Sequence, residues 1–253
     1  MRTVLIFNPT SGISTATDKR MSPKETEEAI LQGLQAYGIE PEIYYTTPED
    51  TGQGLASRAA TEQTELVIAA GGDGTIHAVA NGLVGTQSTL GIIPTGTMNN
   101  LARSLNIPVT IPAACVAIAK GETRLIDVGK INEQIFLEVV PHVLMDDGLL
   151  DVVIYRNFSK LEYILHAVSI SQGRRRYQPK IVHRRVKSLH INSDQPLELQ
   201  VDGIPQGTTP AFVTVLPGAL RVCVPDAMAP GLRIQESEKV ELNTPVNAKN
   251  SEP

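Results

Sequence analysis

Short apolar runs alternate along the first half of the chain with segments whose apolar residues recur every three or four positions. Val4-Leu5-Ile6-Phe7, Leu66-Val67-Ile68-Ala69-Ala70 and Leu90-Gly91-Ile92-Ile93 are runs of the buried-strand type. Ile39 to Thr46 reads as another strand. Between these, Ala29, Ile30, Leu34 and Tyr37 give a first helix an apolar face. Ser22 is its N-cap, Pro23 its first residue, and Glu25 closes a capping box. Gly38 ends it. Gln53 to Thr61 predicts a second helix, and Thr75 to Leu83 a third with Ile76, Val79, Ala80 and Leu83 on one side. Such alternation implies a parallel sheet with right-handed crossovers.

Beyond Pro108 the pattern changes. Ile111 to Lys120 predicts a short helix stopped by Gly121. Strand-like segments follow at Arg124-Val128, Gln134-Val140, Leu149-Tyr155, Val186-Ile191, Leu197-Val201, Ala211-Val215 and Leu220-Val224, interrupted by one helix from Lys160 to Ser169. A run of strands of this kind predicts a mostly antiparallel second domain. The expected division is 1–122, 123–225, and a polar, disordered tail over 226–253. The fold class is α/β, with an N-terminal parallel-sheet domain and a second, mostly antiparallel one.

Three polar turns each follow an apolar strand. They are Asn8-Pro9-Thr10-Ser11-Gly12, Gly71-Gly72-Asp73-Gly74-Thr75 and Pro94-Thr95-Gly96-Thr97-Met98-Asn99-Asn100. In parallel α/β sheets, ligands bind beyond the carboxyl ends of the strands, where all three turns would lie. Consecutive glycines let the backbone approach a ligand, and a helix N-terminus attracts phosphate. The alternative for each is an ordinary tight turn.

The composition suits a globular enzyme: 253 residues, 42% hydrophobic and 19% charged. A net charge of -5 gives no overall basic footprint for nucleic acid. Cys115 and Cys223 stand among apolar residues and read as buried, reduced thiols. No apolar stretch approaches membrane-spanning length, and no signal peptide is visible, so a cytoplasmic protein is expected. The five histidines form no pair with metal-ligand spacing.

The three turns, in this order and spacing, resemble the diacylglycerol kinase catalytic domain, which is similar to sphingosine and ceramide kinases. Phosphofructokinases and NAD kinases share the Gly-Gly-Asp-Gly element, whereas the segment from Gly96 to Arg103 is of the lipid-kinase type. The resemblance implies an ATP-binding domain over 1–122 and a β-sandwich-like domain after it. It implies a cytoplasmic enzyme that visits the membrane surface transiently and phosphorylates a lipid hydroxyl in phospholipid metabolism, with a homodimer left open. ATP phosphates would be cradled by the N–H groups of Gly71, Gly72, Asp73, Gly74, Thr75 and Ile76. His77 follows them on the helix, where its side chain reads as structural. Asp73 would hold Mg²⁺, directly or through water, with N-capping of the helix as its alternative. Asn8, Ser11, Thr46 or Thr47, Thr97 and Asn99 would line the nucleotide, and capping competes as the role of the last two.

Two later segments also resemble the family. Leu144-Met145-Asp146-Asp147-Gly148-Leu149-Leu150-Asp151 matches an Asp-Gly-x-Leu-Asp element that implies a second, regulatory Mg²⁺ held by the Leu144 carbonyl, Asp147 and the Leu149 carbonyl. The alternative is a turn before a strand. Val201-Asp202-Gly203 matches an Asp-Gly-Glu-Pro element, which makes Asp202 the expected base for the acceptor hydroxyl. The chain departs from the pattern twice. Ile204 replaces the Glu, and several dozen residues are missing between Val139 and Met145. Both motivate an alternative function, a weak or inactive nucleotide-binding regulatory paralogue. The basic residues Arg174-Arg175-Arg176 and His183-Arg184-Arg185 read either as a solvated edge or as a contact for anionic headgroups.

Overall fold

The computed structural model describes residues 1–11, 21–137, 146–157, 159, 161–162, 180–201 and 204–226. The first four strands are β1 (Thr3–Phe7), β2 (Glu42–Tyr45), β3 (Leu66–Gly71) and β4 (Thr89–Pro94). They pair in parallel in the order β2-β1-β3-β4. The helices α1 (Pro23–Gln35), α2 (Gln53–Thr61), α3 (Asp73–Leu83), α4 (Asn100–Ser104) and α5 (Ile111–Lys120) connect or follow them. The capping box of α1 forms: Glu25 N–H donates to Ser22 Oγ at 3.3 Å and Ser22 N–H to Glu25 Oε2 at 2.7 Å.

Alternation along the strands divides the core into two layers. Leu5, Phe7 and Ile68 face Ile30, Leu34 and Cys115 on α1 and α5. Val4, Ile6 and Val67 face Ala56, Val79 and Leu83 on α2 and α3. The central strands β1 and β3 are buried along their whole length because helices cover both faces, whereas the edge strand β2 is partly exposed. The chain leaves β1 toward β2 on one side and returns to β3 on the other. The strand order therefore reverses beside β1, at the end where Asn8 and Gly72 emerge.

The later strands are β5 (Glu122–Ile131), β6 (Gln134–Phe136), β7 (Leu150–Tyr155), β8 (Ile181–Val186), β9 (Ser188–Ile191), β10 (Glu198–Val201), β11 (Ile204–Thr208) and β12 (Ala211–Val224). They pair antiparallel with one another, as expected. One difference matters. The two segments expected at Ala211-Val215 and Leu220-Val224 are a single strand with a bulge between Leu216 and Leu220. The upper half of β12 also joins the first sheet, parallel to β4 through Arg221 and Val222. Pro217 and Gly218, at φ +57°, read as an interruption in sequence, but a bulge bends a strand without ending it. β11 and most of β8 escaped the sequence reading.

The helix expected over Lys160 to Ser169 (apart from Leu161 and Glu162), Arg174 to Arg176, the end of the Gln134-Val140 strand and the tail after Asp226 lie outside the described residues. Among the described residues, no helix is long and apolar enough to cross a membrane.

Candidate active site

The carboxyl ends of the four parallel strands bring the three turns together. Asn8 N–H donates to Ala70 O at 2.9 Å, and Thr95 N–H to Gly71 O at 2.8 Å, so both flanking turns are tied to the end of β3. Asn8 Nδ2 donates to Thr75 Oγ1 at 2.8 Å, while Asn8 Oδ1 accepts from the N–H and hydroxyl of Thr10. Ser11 Oγ donates its one proton to Asn8 O at 2.8 Å, because a carbonyl can only accept. In the 2.6 Å contact between Ser11 and Thr95, the donor is therefore Thr95 Oγ1. Thr95 is 1% exposed and is a strut that the sequence reading did not single out. The available signal was a hydroxyl placed directly after the last buried residue of a strand.

Asp73 does not cap α3, and its carboxylate has a structural task that was not expected. The N-cap of α3 is Gly72, and Asp73 is the first residue of the helix. Its carboxylate reaches across to the third turn, where Oδ2 accepts from Asn99 N–H at 2.9 Å and Oδ1 from Asn100 N–H at 2.6 Å. It thus supplies the cap for α4, whose own N-cap, Asn99, makes no capping bond. The Asn99 side chain turns back on its own loop instead. Gly96 N–H donates to Asn99 Oδ1 at 3.0 Å, and Asn99 Nδ2 donates to Gly96 O at 2.8 Å. With φ at +52°, Asn99 stands in the left-handed region, and its side chain holds the turn in that conformation. Thr97 and Asn100 are exposed at the rim, and Arg103 Nε donates to Met98 O at 2.8 Å.

Fewer amides are open at the start of α3 than the expected cradle requires. Ile76 N–H is bonded to Gly72 O at 3.0 Å, and its side chain is fully buried. His77 is one residue deeper in the helix, where amides bond within the ladder. Neither can serve a ligand through its backbone. The amides of Asp73, Gly74 and Thr75 have no intrahelical acceptor, and Gly72 has no side chain to cap them. They form a concentrated set of donors at the positive end of α3.

The glycines divide into two kinds. A Cβ on Gly71 would lie 2.5 Å from Thr75 Cβ, and one on Gly96 would lie 2.6 Å from Gly72 Cα, so the fold itself needs both. A Cβ on Gly74 would meet nothing within 4 Å. Thr46 stands at the end of β2, its N–H on Phe7 O at 3.0 Å, beside Asn8 and across β1 from the cradle.

The second half meets this sheet through Asp127, another residue not singled out from sequence. Its Oδ2 accepts from Gly148 N–H at 2.5 Å and its Oδ1 from Gly218 N–H at 2.8 Å. One carboxylate therefore holds both the Asp147-Gly148 turn and the β12 bulge. The signal was an acid set between Ile126 and Val128 in an apolar strand. Asp147 itself accepts Leu149 N–H at 3.0 Å on Oδ1, and Arg185 stands against its other oxygen. Asp147 Oδ2 is buried and accepts no hydrogen bond among the described residues. The Leu144 carbonyl, another of the expected cation ligands, lies outside the described residues, as do Asp202 and Gly12.

The fold is α/β, and its three polar turns are joined at the switch point of the parallel sheet. A family model described as the diacylglycerol kinase catalytic domain matches residues 2–131, and the YegS C-terminal NAD kinase beta sandwich-like domain matches 109–224. The chain belongs to the diacylglycerol kinase catalytic-domain family. A diacylglycerol kinase of Staphylococcus aureus strain JH9 is 26% identical over 285 residues, covering 83% of this chain and 88% of that protein, and the strain Newman protein gives the same figures. That span exceeds the length of this chain, so the relatives carry dozens of residues with no counterpart here. A crystal structure of a diacylglycerol kinase from Bacillus anthracis strain Sterne shares the fold, with a TM-score of 0.74 at 23% identity over 88% of this chain and 96% of that one.

Proposed function

We propose that the protein transfers the γ-phosphoryl group of ATP to the hydroxyl of a lipid alcohol such as diacylglycerol. The observation that carries this reading is the uncapped set of Asp73, Gly74 and Thr75 amides facing open space at Gly74, with Asp73 bracing the neighbouring turn. Phosphoryl transfer depends on positioning and charge stabilisation, which such a cradle supplies. The three amides and the α3 dipole bind and orient the phosphates. Asn8 and Ser11 wall one side, Thr46 lies toward the nucleotide, and Thr97 offers a hydroxyl at the rim.

Asp202 accepts the proton of the acceptor hydroxyl as its oxygen attacks the γ-phosphorus. The bond to the bridging oxygen breaks and ADP leaves. Asp73 fits a role toward Mg²⁺, since each oxygen has accepted one N–H and keeps a lone pair. When bound, Mg²⁺ would offset phosphate charge there. The test is transfer of labelled phosphate from γ-labelled ATP to a panel of diacylglycerol, phosphatidylglycerol, sphingosine and NAD. Folded protein that labels no lipid alcohol with Mg²⁺-ATP refutes the reading.

Ile204 and the shorter chain favour a second reading, a regulatory paralogue that binds nucleotide without transfer. Tight ATP binding with no labelled product, and activity gained by Ile204→Glu, would establish it.

A further inference from the structure

We propose that the β7–β8 ribbon is the surface on which the protein docks to an anionic lipid bilayer; this rests on the lipid-acceptor reading above. Among the described residues the two strands pair only with each other. Their register sets Leu150 opposite Val186, Val152 opposite Arg184 and Ile154 opposite Val182. Directly opposed residues share a face, so five aliphatic side chains surround Arg184 on one side of the ribbon. None of the twelve ribbon residues is buried, and Ile154 is 41% exposed. Arg156 N–H extends the ladder to Lys180 O at 2.8 Å, and alternation carries Arg156 onto the same face.

The charges are sorted. Asp151 is on the opposite face, across from Arg185, whose Nε lies 3.8 Å from its carboxylate. Lys180 is held by Glu162 at 2.7 Å. Arg184 Nη1 donates to His183 O at 2.8 Å, and no carboxylate among the described residues pairs with Arg184 or Arg156. An aliphatic face that carries Arg156 and Arg184, with Glu162 reaching only Lys180 at its end, on a chain of net charge -5, is complementary to the boundary between anionic headgroups and acyl chains. The aliphatic groups enter that boundary, and the guanidinium groups meet lipid phosphates.

The experiment is co-sedimentation with vesicles of phosphatidylglycerol and phosphatidylcholine, against vesicles of phosphatidylcholine alone. Activity is measured in parallel on a short-chain diacylglycerol dispersed below its aggregation limit. Unmodified protein should sediment with the anionic vesicles only, and release as salt is raised from 50 to 500 mM. At roughly fivefold per basic side chain near an anionic surface, Arg156→Glu with Arg184→Glu should weaken partitioning at least about twentyfold while sparing activity on the dispersed substrate. Ile154→Ser should weaken it severalfold. If the charge variant misfolds by circular dichroism, the salt release of the unmodified protein decides alone. Equal binding to both vesicle types, or unchanged binding by the folded variants, overturns the proposal. So does a dimer in solution that Ile154→Ser dissociates, since the face would then belong to a second copy. Failure to phosphorylate the dispersed substrate strikes the kinase reading and leaves the sedimentation result standing.

Discussion

Replacing Gly74 with alanine should separate the fold from its ligand. Gly74 is the second residue of α3 and lies outside the left-handed region, and a Cβ there would meet no protein atom within 4 Å. Alanine favours a helix over glycine by up to about 1 kcal/mol, with less realised in the first turn. One kcal/mol corresponds to a rise in Tm of roughly 2–4 °C for a chain of this size class. The free protein should therefore keep its stability or gain slightly. The same methyl group would stand where phosphate must approach the Asp73, Gly74 and Thr75 amides. Losing one hydrogen bond to a charged group is worth about 1.5–3 kcal/mol, or roughly ten- to hundredfold in affinity. Thermal unfolding and an ATP titration on one sample measure both effects. A Gly74→Ala protein that binds ATP as tightly as the parent refutes the assignment of this surface to phosphate.

Other substitutions should act through the protein itself. Asp73→Asn sets an NH₂ group against one of two backbone N–H donors and should cost about 1–3 kcal/mol by denaturant unfolding, whether or not ATP is present. Gly96→Ala forces a methyl group within 2.6 Å of Gly72 Cα and should destabilise by about 1–3 kcal/mol, seen as a lower Tm. Burial pushes the Cys115 and Cys223 thiols up to about 11, above their ordinary value of 9.0. The folded protein thus keeps protons that the unfolded chain releases. This contribution to stability is complete below pH 9 and is lost as pH rises to 11, and unfolding titrations across that window should show the decline. Neither thiol should react with a mild alkylating reagent at pH 8 unless the protein unfolds.

The first half was legible because its signals are local. Ser22, Pro23 and Glu25 act on the helix they begin, and the apolar runs at Val4 and Leu66 are short and doubly covered. The glycine turns were also legible as a group, since each follows a strand that ends on the same edge. Their wiring was not. Asp73 caps a helix 27 residues away, and Asn99 spends its amide on its own turn; neither choice leaves a periodic trace. The strand β12 was divided in sequence by Pro217 and Gly218, which read as a stop until the bulge and the Asp127 contact are seen. Asp127 itself was passed over because a single acid in an apolar strand has no local partner to announce it.

The return of β12 to the edge of β4 also sets a clock on biosynthesis. The ribosome completes β4 at Pro94, but its parallel neighbour emerges only with Arg221 and Val222. At about 5–20 residues per second, the nascent chain waits roughly 6–26 s with that edge uncovered. Through this interval β4 presents unpaired N–H and C=O groups to any extended strand nearby. Slowed translation late in the message would lengthen the exposure. A chain halted anywhere before residue 221 would keep an open-edged sheet for as long as it survived.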